Sequence, residues 1–173
     1  MKMKGKVSVF FIMLLFVFTS LPNSADAYQR LGFKKADSKD LYYFIDYQFA
    51  DMGFKSDVKR GLTAWHISPK IKFTKEVSIS GNVNLDYVNS NYGDAYATHR
   101  NGSSTLSNIT FYKSWKGLSK TKRRETAVHE VGHALGLGHT QTKNDRISVM
   151  RQFGFNNKDY PLSDDLKGIN AIY

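Results

Sequence analysis

The stretch HEVGHALGLGH, residues 129–139, contains three of the five histidines of this 173-residue chain. His129 and His133 are four residues apart, so in an α-helix their side chains lie on one face, one turn apart. Gly136 follows, and a residue without Cβ can adopt the left-handed conformation that ends a helix. The chain can then turn sharply and bring His139 toward the other two imidazoles from outside the helix.

Three converging imidazoles suit a zinc ion, which binds histidine nitrogen at about 2.0–2.1 Å. Three protein ligands leave a fourth position for water or substrate, which is typical of a catalytic rather than a structural zinc site. Glu130 lies beside the first ligand and is suited to take a proton from a water molecule that the metal activates. The sequence therefore predicts metal ligands at His129, His133 and His139, with Glu130 as the general base.

The amino-acid composition limits the class of protein, the kinds of site and the partners that this chain can have. Hydrophobic residues make up 41% and aromatic residues 14%, as in a folded globular domain, and the length suits one domain. The chain has no cysteine, which excludes disulfides, a thiolate nucleophile and cysteine-ligated zinc. A net charge of +10 suits an anionic cell surface, whereas no nucleic-acid motif is found and we expect no specific nucleic-acid partner. The basic cluster at 120–124 is interpreted as a solvated helix face.

Residues 1–27 have the layout of a secretory signal peptide. Three lysines precede an apolar run at 7–21, and Ala25-Asp26-Ala27 supplies small residues for cleavage after Ala27. The run is shorter than the ~20 residues that span a bilayer as a helix, and an uncleaved membrane anchor is the alternative. We expect a secreted protein with a short N-terminal segment at 28–37 and one folded domain at 38–173.

Hydrophobic patterns and capping residues along the remaining chain predict a mixed order of strands and helices. The predicted strands are 41–49, 71–77, 83–88, a short strand near 95–98, and 109–115. The predicted helices are 56–66 with Ser56 as N-cap, 120–137, and 164–173 with Ser163 as cap.

The pattern H-E-x-x-H-x-x-G-x-x-H resembles that of the metzincin clan of zinc peptidases, and the wider sequence is most similar to small bacterial matrixins. Ser148-Val149-Met150 resembles the methionine turn that lies beneath the zinc in that clan. Residues 162–173 resemble the matrixin C-terminal helix, whose paired carboxylates, here Asp164 and Asp165, brace that turn and can receive the mature N-terminal ammonium. Favourable negative charge at a helix N-terminus is a second role for the same carboxylates.

This resemblance implies an α+β fold with a twisted mixed sheet, an active-site helix and a small C-terminal helical subdomain. It implies that 38–173 is the catalytic domain of a monomeric zinc endopeptidase with one catalytic zinc. An edge strand near 95–98 would pair with an extended peptide substrate. Phe153, Phe155 and Tyr160 would wall the pocket for the side chain that follows the cut.

Some positions depart from the family pattern. Thr140 follows the third histidine, where matrixins usually have serine. Gln152 stands where some metzincins have a zinc-binding tyrosine, so we expect no fifth ligand. The cysteine of the matrixin latency switch is missing, which leaves the latency mechanism open.

Four other polar residues are either candidate ligands or ordinary polar side chains. Asp86 and Asp94 are candidates for calcium ligands together with loop carbonyls, although their spacing matches no firm motif. His66 and His99 are isolated in the sequence and are interpreted as surface or hydrogen-bonded imidazoles.

Two other functions stay open. One is a zinc-binding cell-surface or adhesin-like protein without significant turnover, and the other is a non-peptidase hydrolase with the same motif. An intact Glu130 argues against the first, since a binding protein has no need of a base.

Overall fold

The computed structural model describes residues 28–173, so the signal-peptide prediction at 1–27 lies outside the described residues. A five-stranded mixed sheet packs with the helices around one hydrophobic core. None of the helices between residues 28 and 173 has the length and apolar character needed to cross a membrane. The predicted α+β architecture, with a mixed sheet and an active-site helix, is confirmed.

The strands lie in the spatial order β2-β1-β3-β5-β4. β1, β2, β3 and β5 run parallel, and β4 pairs antiparallel with β5 at the edge of the sheet. The predicted edge strand is therefore confirmed, shifted by two residues toward the C-terminus. The strands are β1 (Leu41–Ile45), β2 (Phe73–Val77), β3 (Val83–Val88), β4 (Ala97–Arg100) and β5 (Asn108–Tyr112).

The α-helices are α1 (Gln48–Asp51), α2 (Lys55–Thr63), α3 (Lys113–Lys116), α4 (Lys120–Ala134) and α5 (Ser163–Ile172). Helices α2 and α4 pack closely against each other, and α5 is the C-terminal helix. Two 3₁₀ segments, Ala64–Ile67 and Thr142–Ile147, complete the regular structure of the described residues.

An aromatic cluster forms the centre of the core. The ring of Phe49 meets those of Phe111 and Trp115 edge to face at 5.5 and 5.7 Å. These three side chains are fully buried, and burial of each large apolar side chain stabilises the fold by roughly 1.5–3 kcal/mol. Trp65 is also fully buried, and its indole N–H donates to the Val128 carbonyl of α4 at 3.1 Å. The core thus fixes α4, which carries two of the three histidines.

Two predicted strands are shorter than expected because the chain turns into a short helix. The predicted strand at 41–49 ends at Ile45, where the Asp46 carboxylate accepts the backbone N–H of Gln48 at 2.9 Å and starts a turn. The predicted strand at 109–115 ends at Tyr112, and Trp115 belongs to α3.

The predicted caps at Ser56 and Ser163 are wrong. Helix α2 begins at Lys55, and the residue before it, Phe54, makes no side-chain cap. Ser163 is the first residue of α5 rather than its cap, because the Asp165 carboxylate accepts the Leu162 N–H at 2.7 Å and organises that helix end. By contrast, Ser119 caps α4 by accepting the Lys122 N–H.

The interpretation of 120–124 as a solvated face is wrong for two of its arginines. The Nε atoms of Arg123 and Arg124 lie 2.8 and 2.9 Å from the two carboxylate oxygens of Asp57. The Asp57 side chain is only 4% exposed. These basic residues therefore join α4 to α2 by paired, charge-assisted hydrogen bonds.

Candidate metal centre

The three histidines of the 129–139 stretch converge. Each offers one ring nitrogen, and these nitrogens all lie within 4.8 Å of one another. The ring centroids of His129, His133 and His139 are 4.7 to 5.3 Å apart. This is the donor set that a tetrahedral zinc ion with one open position accepts.

Gly136 makes the turn that brings the third histidine to the first two. Helix α4 ends at Ala134, and Gly136 has φ of +99°, which is the left-handed conformation that favours glycine. The Leu137 N–H returns to the Gly132 carbonyl at 3.0 Å. The space beside Gly136 is also closed, because an added Cβ would collide with the Phe33 carbonyl oxygen.

The N-terminal segment braces this turn from outside. The Leu31 N–H donates to the Gly136 carbonyl at 2.9 Å, and the Gly138 N–H donates to the Gln29 carbonyl at 2.8 Å. Arg30 and Leu137 thus form an isolated antiparallel bridge. The loop between the second and third histidines is consequently held on both sides.

Backbone carbonyls orient two of the imidazoles. The Nδ1 of His129 lies 2.7 Å from the Val149 carbonyl, and the Nδ1 of His133 lies 2.7 Å from the Leu137 carbonyl. Because a carbonyl only accepts, each Nδ1 carries the proton and each Nε2 keeps its lone pair. Burial lowers the pKa of His129 to about 4 and that of His133 well below its usual value. Both imidazoles are therefore neutral at pH 7, as metal ligands must be.

Glu130 lies in the same cleft and is 7% exposed. Burial raises the pKa of Glu130 to about 8, and a divalent cation held by the adjacent histidines would lower that pKa again. A carboxyl group with such a tunable pKa can take up and return a proton near neutral pH.

Met150 packs against α4 at Gly132, which lies between the first two histidines along the chain. Its side chain is 2% exposed, and a Cβ added at Gly132 would collide with the Met150 sulfur. The Met150 carbonyl accepts the Thr140 N–H at 2.8 Å. Together with the Val149 carbonyl on His129, these contacts tie residues 148–150 to the first histidine and to the segment after the third.

Asp165 supports this turn from α5. Its carboxylate accepts the Ser148 hydroxyl and, at 2.9 Å, the Val149 N–H. These hydrogen bonds correspond to the bracing role that the resemblance implied for the paired carboxylates.

The neighbouring Asp164 is 1% exposed and accepts the Thr140 hydroxyl at 2.7 Å. The substitution of threonine for the usual serine thus retains a hydroxyl donor. The second oxygen of Asp164 has no hydrogen-bond partner among residues 28–173.

Comparisons with known proteins agree with this geometry. The family model for matrixins, peptidase family M10, matches residues 34–173. The chain belongs to the matrixin family. This confirms the family that the sequence resembles, whereas the likeness to small bacterial members stays a prediction.

Individual relatives are similar at lower identity. The matrixin chain is 26% identical to stromelysin-2 of Rattus norvegicus over 132 residues, which cover 68% of the chain and 28% of that protein. It is 29% identical to zinc metalloproteinase nas-36 of Brugia malayi over 126 residues, covering 68% and 19%. It is 27% identical to stromelysin-3 of Rattus norvegicus over 159 residues, covering 79% and 31%. The chain thus spans less than a third of the length of these relatives.

The histidines of this matrixin open onto a cleft of about 660 Å³. One wall is the segment from Asp94 to His99, which includes the start of edge strand β4. The segment that follows Met150 also lines the cleft, and its lining residues include Phe153 and Phe155, as predicted, but not Tyr160. Further lining residues that the sequence did not predict include Leu31, Glu125 and Arg151.

The two remaining histidines differ in environment. His66 accepts the Phe73 N–H at 3.0 Å, so its interpretation as a hydrogen-bonded imidazole is confirmed. His99 stacks between Phe33 and His133 at centroid distances of 6.2 and 6.0 Å, and its buried Nε2 has no partner within the described chain. His99 is therefore a half-buried imidazole that lines the cleft and packs against a candidate ligand, rather than an exposed or hydrogen-bonded one.

Across residues 28–173, the histidine triad is the one group of three or more His, Cys, Asp or Glu side chains arranged to hold an ion. Asp86 and Asp94 belong to no such group. Burial and the neighbouring Asp46 raise the pKa of Asp86. Calcium binding there stays a prediction without a ligand cluster to support it.

Proposed function

We propose that this matrixin is a secreted zinc-dependent endopeptidase whose metal ligands are His129, His133 and His139. The observation that carries the proposal is the convergence of three imidazoles in the same cleft as a buried carboxyl group, Glu130. A structural zinc site would need a fourth protein ligand.

Each residue has a defined task in peptide hydrolysis. A bound zinc ion supplies Lewis-acid chemistry, polarising the substrate carbonyl and lowering the pKa of water. Glu130 takes a proton from the attacking water and passes it to the leaving amine. His129 and His133 hold their orientation through the Val149 and Leu137 carbonyls, and the buried Met150 side chain packs against α4 at Gly132.

The substrate is a peptide in extended form. Because β4 is the edge of the sheet, a peptide can add there as a further strand and be held by main-chain hydrogen bonds. Phe153 and Phe155 border the part of the cleft that receives the side chain following the cut.

The proposal extends to the whole chain. Residues 1–27 act as a signal peptide cleaved after Ala27, 28–37 form an N-terminal segment, and 38–173 form the catalytic domain. We propose that the protein acts as a monomer and that its positive charge favours association with anionic cell surfaces.

The test is incubation of the purified protein with casein and a peptide library, beside Glu130→Ala and a chelator-treated sample. We expect cleavage by the wild type alone. A wild-type protein that binds one zinc and cuts nothing would instead favour the zinc-binding surface protein or a non-peptidase hydrolase. If Glu130→Ala cleaves at the full rate, the protein is a peptidase but Glu130 is not its general base.

A further inference from the structure

The segment at residues 151–158 follows Met150, and its first five residues line the cleft; the segment is called the wall loop below. None of its residues belongs to a helix or strand. Asn157 has φ of +56°, a conformation that few residues other than glycine adopt. The backbone of the wall loop is therefore not held by the hydrogen bonds of a helix or a sheet, and its position depends on side-chain contacts.

Glu125 makes the contact between the wall loop and the active-site helix. It lies on α4 one turn before His129, on the same helical face. Its carboxylate accepts the backbone N–H of Asn156 and, at 3.2 Å, the backbone N–H of Lys158. The residue is 3% exposed, and no residue within the described range forms a salt bridge with it. Its hydrogen-bonding capacity is thus directed at the wall loop.

Two further side chains, those of Arg151 and Asn156, form hydrogen bonds within the wall loop and to the segment before it. Arg151 donates through Nε to the Phe153 carbonyl at 2.6 Å and through a terminal nitrogen to the Asn156 side-chain oxygen at 3.2 Å. Asn156 in turn donates to the Asp145 carbonyl at 2.8 Å. These bonds stay within residues 145–156, so they shape the loop without joining it to α4.

Aromatic contacts join the loop to both sides of the cleft. Phe155 lies 5.8 Å from the Tyr96 ring, beside β4, and 5.1 Å from the Lys122 ammonium on α4. Phe155 is also a lining residue. A shift of the wall loop would move this ring and change the width of the pocket.

A buried carboxylate is costly unless it is hydrogen-bonded, and hydrogen bonds to a charged group are stronger than those between neutral groups. An aliphatic side chain would serve packing alone at this position, as Val128 and Val131 do elsewhere on α4. We propose that Glu125 is a positioning residue that fastens the wall loop to α4 and so sets which side chain the pocket accepts after the scissile bond. This inference rests on the proposed peptidase function.

The test uses Glu125→Leu, which removes both acceptors, and Glu125→Gln, which keeps the shape and one acceptor. Thr126→Val is the matched control, since Thr126 lines the same cleft but donates within its own helix, to the Lys122 carbonyl at 2.9 Å. Cooperative thermal unfolding and zinc content are measured for each protein to show that the fold and the metal site are intact.

Hydrogen exchange tests the fastening without reference to activity. The amides of Asn156 and Lys158 should exchange at least tenfold faster in Glu125→Leu than in the wild type, with an intermediate effect in Glu125→Gln and none in Thr126→Val. If these amides exchange at the wild-type rate in both Glu125 variants, the proposal is overturned. If Glu125→Leu does not fold, Glu125→Gln alone decides, and a wild-type exchange rate in that variant overturns the proposal.

Selectivity is measured as kcat/KM on peptides that differ only in the residue after the cut, with Ala, Leu, Phe or Arg there. We expect the spread of kcat/KM values to narrow severalfold in both Glu125 variants, chiefly through KM. If the amides of Asn156 and Lys158 exchange faster but the spread of kcat/KM values is unchanged, Glu125 holds the wall loop without setting specificity. If the wild type cuts no peptide, the peptidase function is contradicted, and the exchange rates still test whether Glu125 holds the wall loop.

Discussion

At the scale of single residues, this matrixin arranges its buried carboxylates to receive backbone N–H groups. Asp165 accepts the Val149 and Leu162 N–H groups, and Glu125 accepts those of the wall loop. Burial raises the pKa of both carboxyl groups, and the hydrogen bonds oppose that rise. A small number of acidic side chains thus hold irregular segments beside the candidate metal centre.

Replacing Asp165 should damage the methionine turn. Asp165→Ala leaves the Ser148 hydroxyl and two buried N–H groups without their acceptor, so we expect the free energy of unfolding to fall by about 3 kcal/mol. Zinc affinity should fall by about 10- to 100-fold, because the Val149 carbonyl orients His129. Urea unfolding and a zinc competition assay measure the two effects.

Ser163→Ala is the control for that experiment. Ser163 is exposed and lies inside the first turn of α5, so its loss should change stability by no more than about 0.5 kcal/mol. A loss in Ser163→Ala as large as that in Asp165→Ala would contradict this assignment, because Ser163 would then stabilise the start of α5 as much as Asp165 does.

At the scale of elements, features that depend on residues close in sequence could be predicted, whereas contacts between distant residues could not. The i, i+4 histidines on α4 and the turn at Gly136 follow from helix geometry and conformational preference within eleven residues. The Glu125 contact to Asn156 joins positions 31 residues apart, and no local pattern announces it. The same reason explains the wrong cap at Ser56, since packing of Phe54 and the Asp57 ion pairs determine the start of α2.

The turn at Gly136 can be tested by Gly136→Ala. A left-handed alanine is strained by roughly 1–2 kcal/mol, and its Cβ would also collide with the Phe33 carbonyl. We expect at least a tenfold loss of zinc affinity together with about 1–3 kcal/mol of stability. Zinc competition and denaturant unfolding provide both values.

Gly117→Ala is the matched glycine control. Gly117 has φ of −76°, and a Cβ there would make ordinary contact at 3.6 Å. Its effect should stay within about 0.5 kcal/mol. Wild-type zinc affinity in Gly136→Ala would show that the turn does not position His139.

At the scale of the whole molecule, Lys35 joins the N-terminal segment to the body of the domain. Its ammonium donates to the Asn82 and Ser103 carbonyls, both at 3.0 Å, and to the Ser107 hydroxyl at 2.9 Å. Lys35 is 1% exposed. Composition gave no reason to expect a buried lysine here, because lysine is almost always a surface residue.

Burial lowers the pKa of Lys35 from 10.5 to about 8, which makes stability depend on pH. Between pH 8 and 10.5 the unfolded chain binds this proton and the folded chain releases it, so stability should rise with pH. The difference in unfolding free energy between the wild type and Lys35→Met should therefore be flat below pH 8 and should increase above it. Urea unfolding at pH 7, 8, 9 and 10 tests this, and a flat difference across the range would contradict it.

The most direct test of the central claim is a zinc titration of turnover. Metal-free protein receives increasing zinc while peptide cleavage and bound zinc are measured together, for the wild type and for Glu130→Gln. We predict that cleavage rises linearly to one equivalent of zinc in the wild type. Glu130→Gln should bind the same single equivalent with turnover reduced at least a thousandfold. Cleavage without zinc, or undiminished cleavage by Glu130→Gln, would contradict the account.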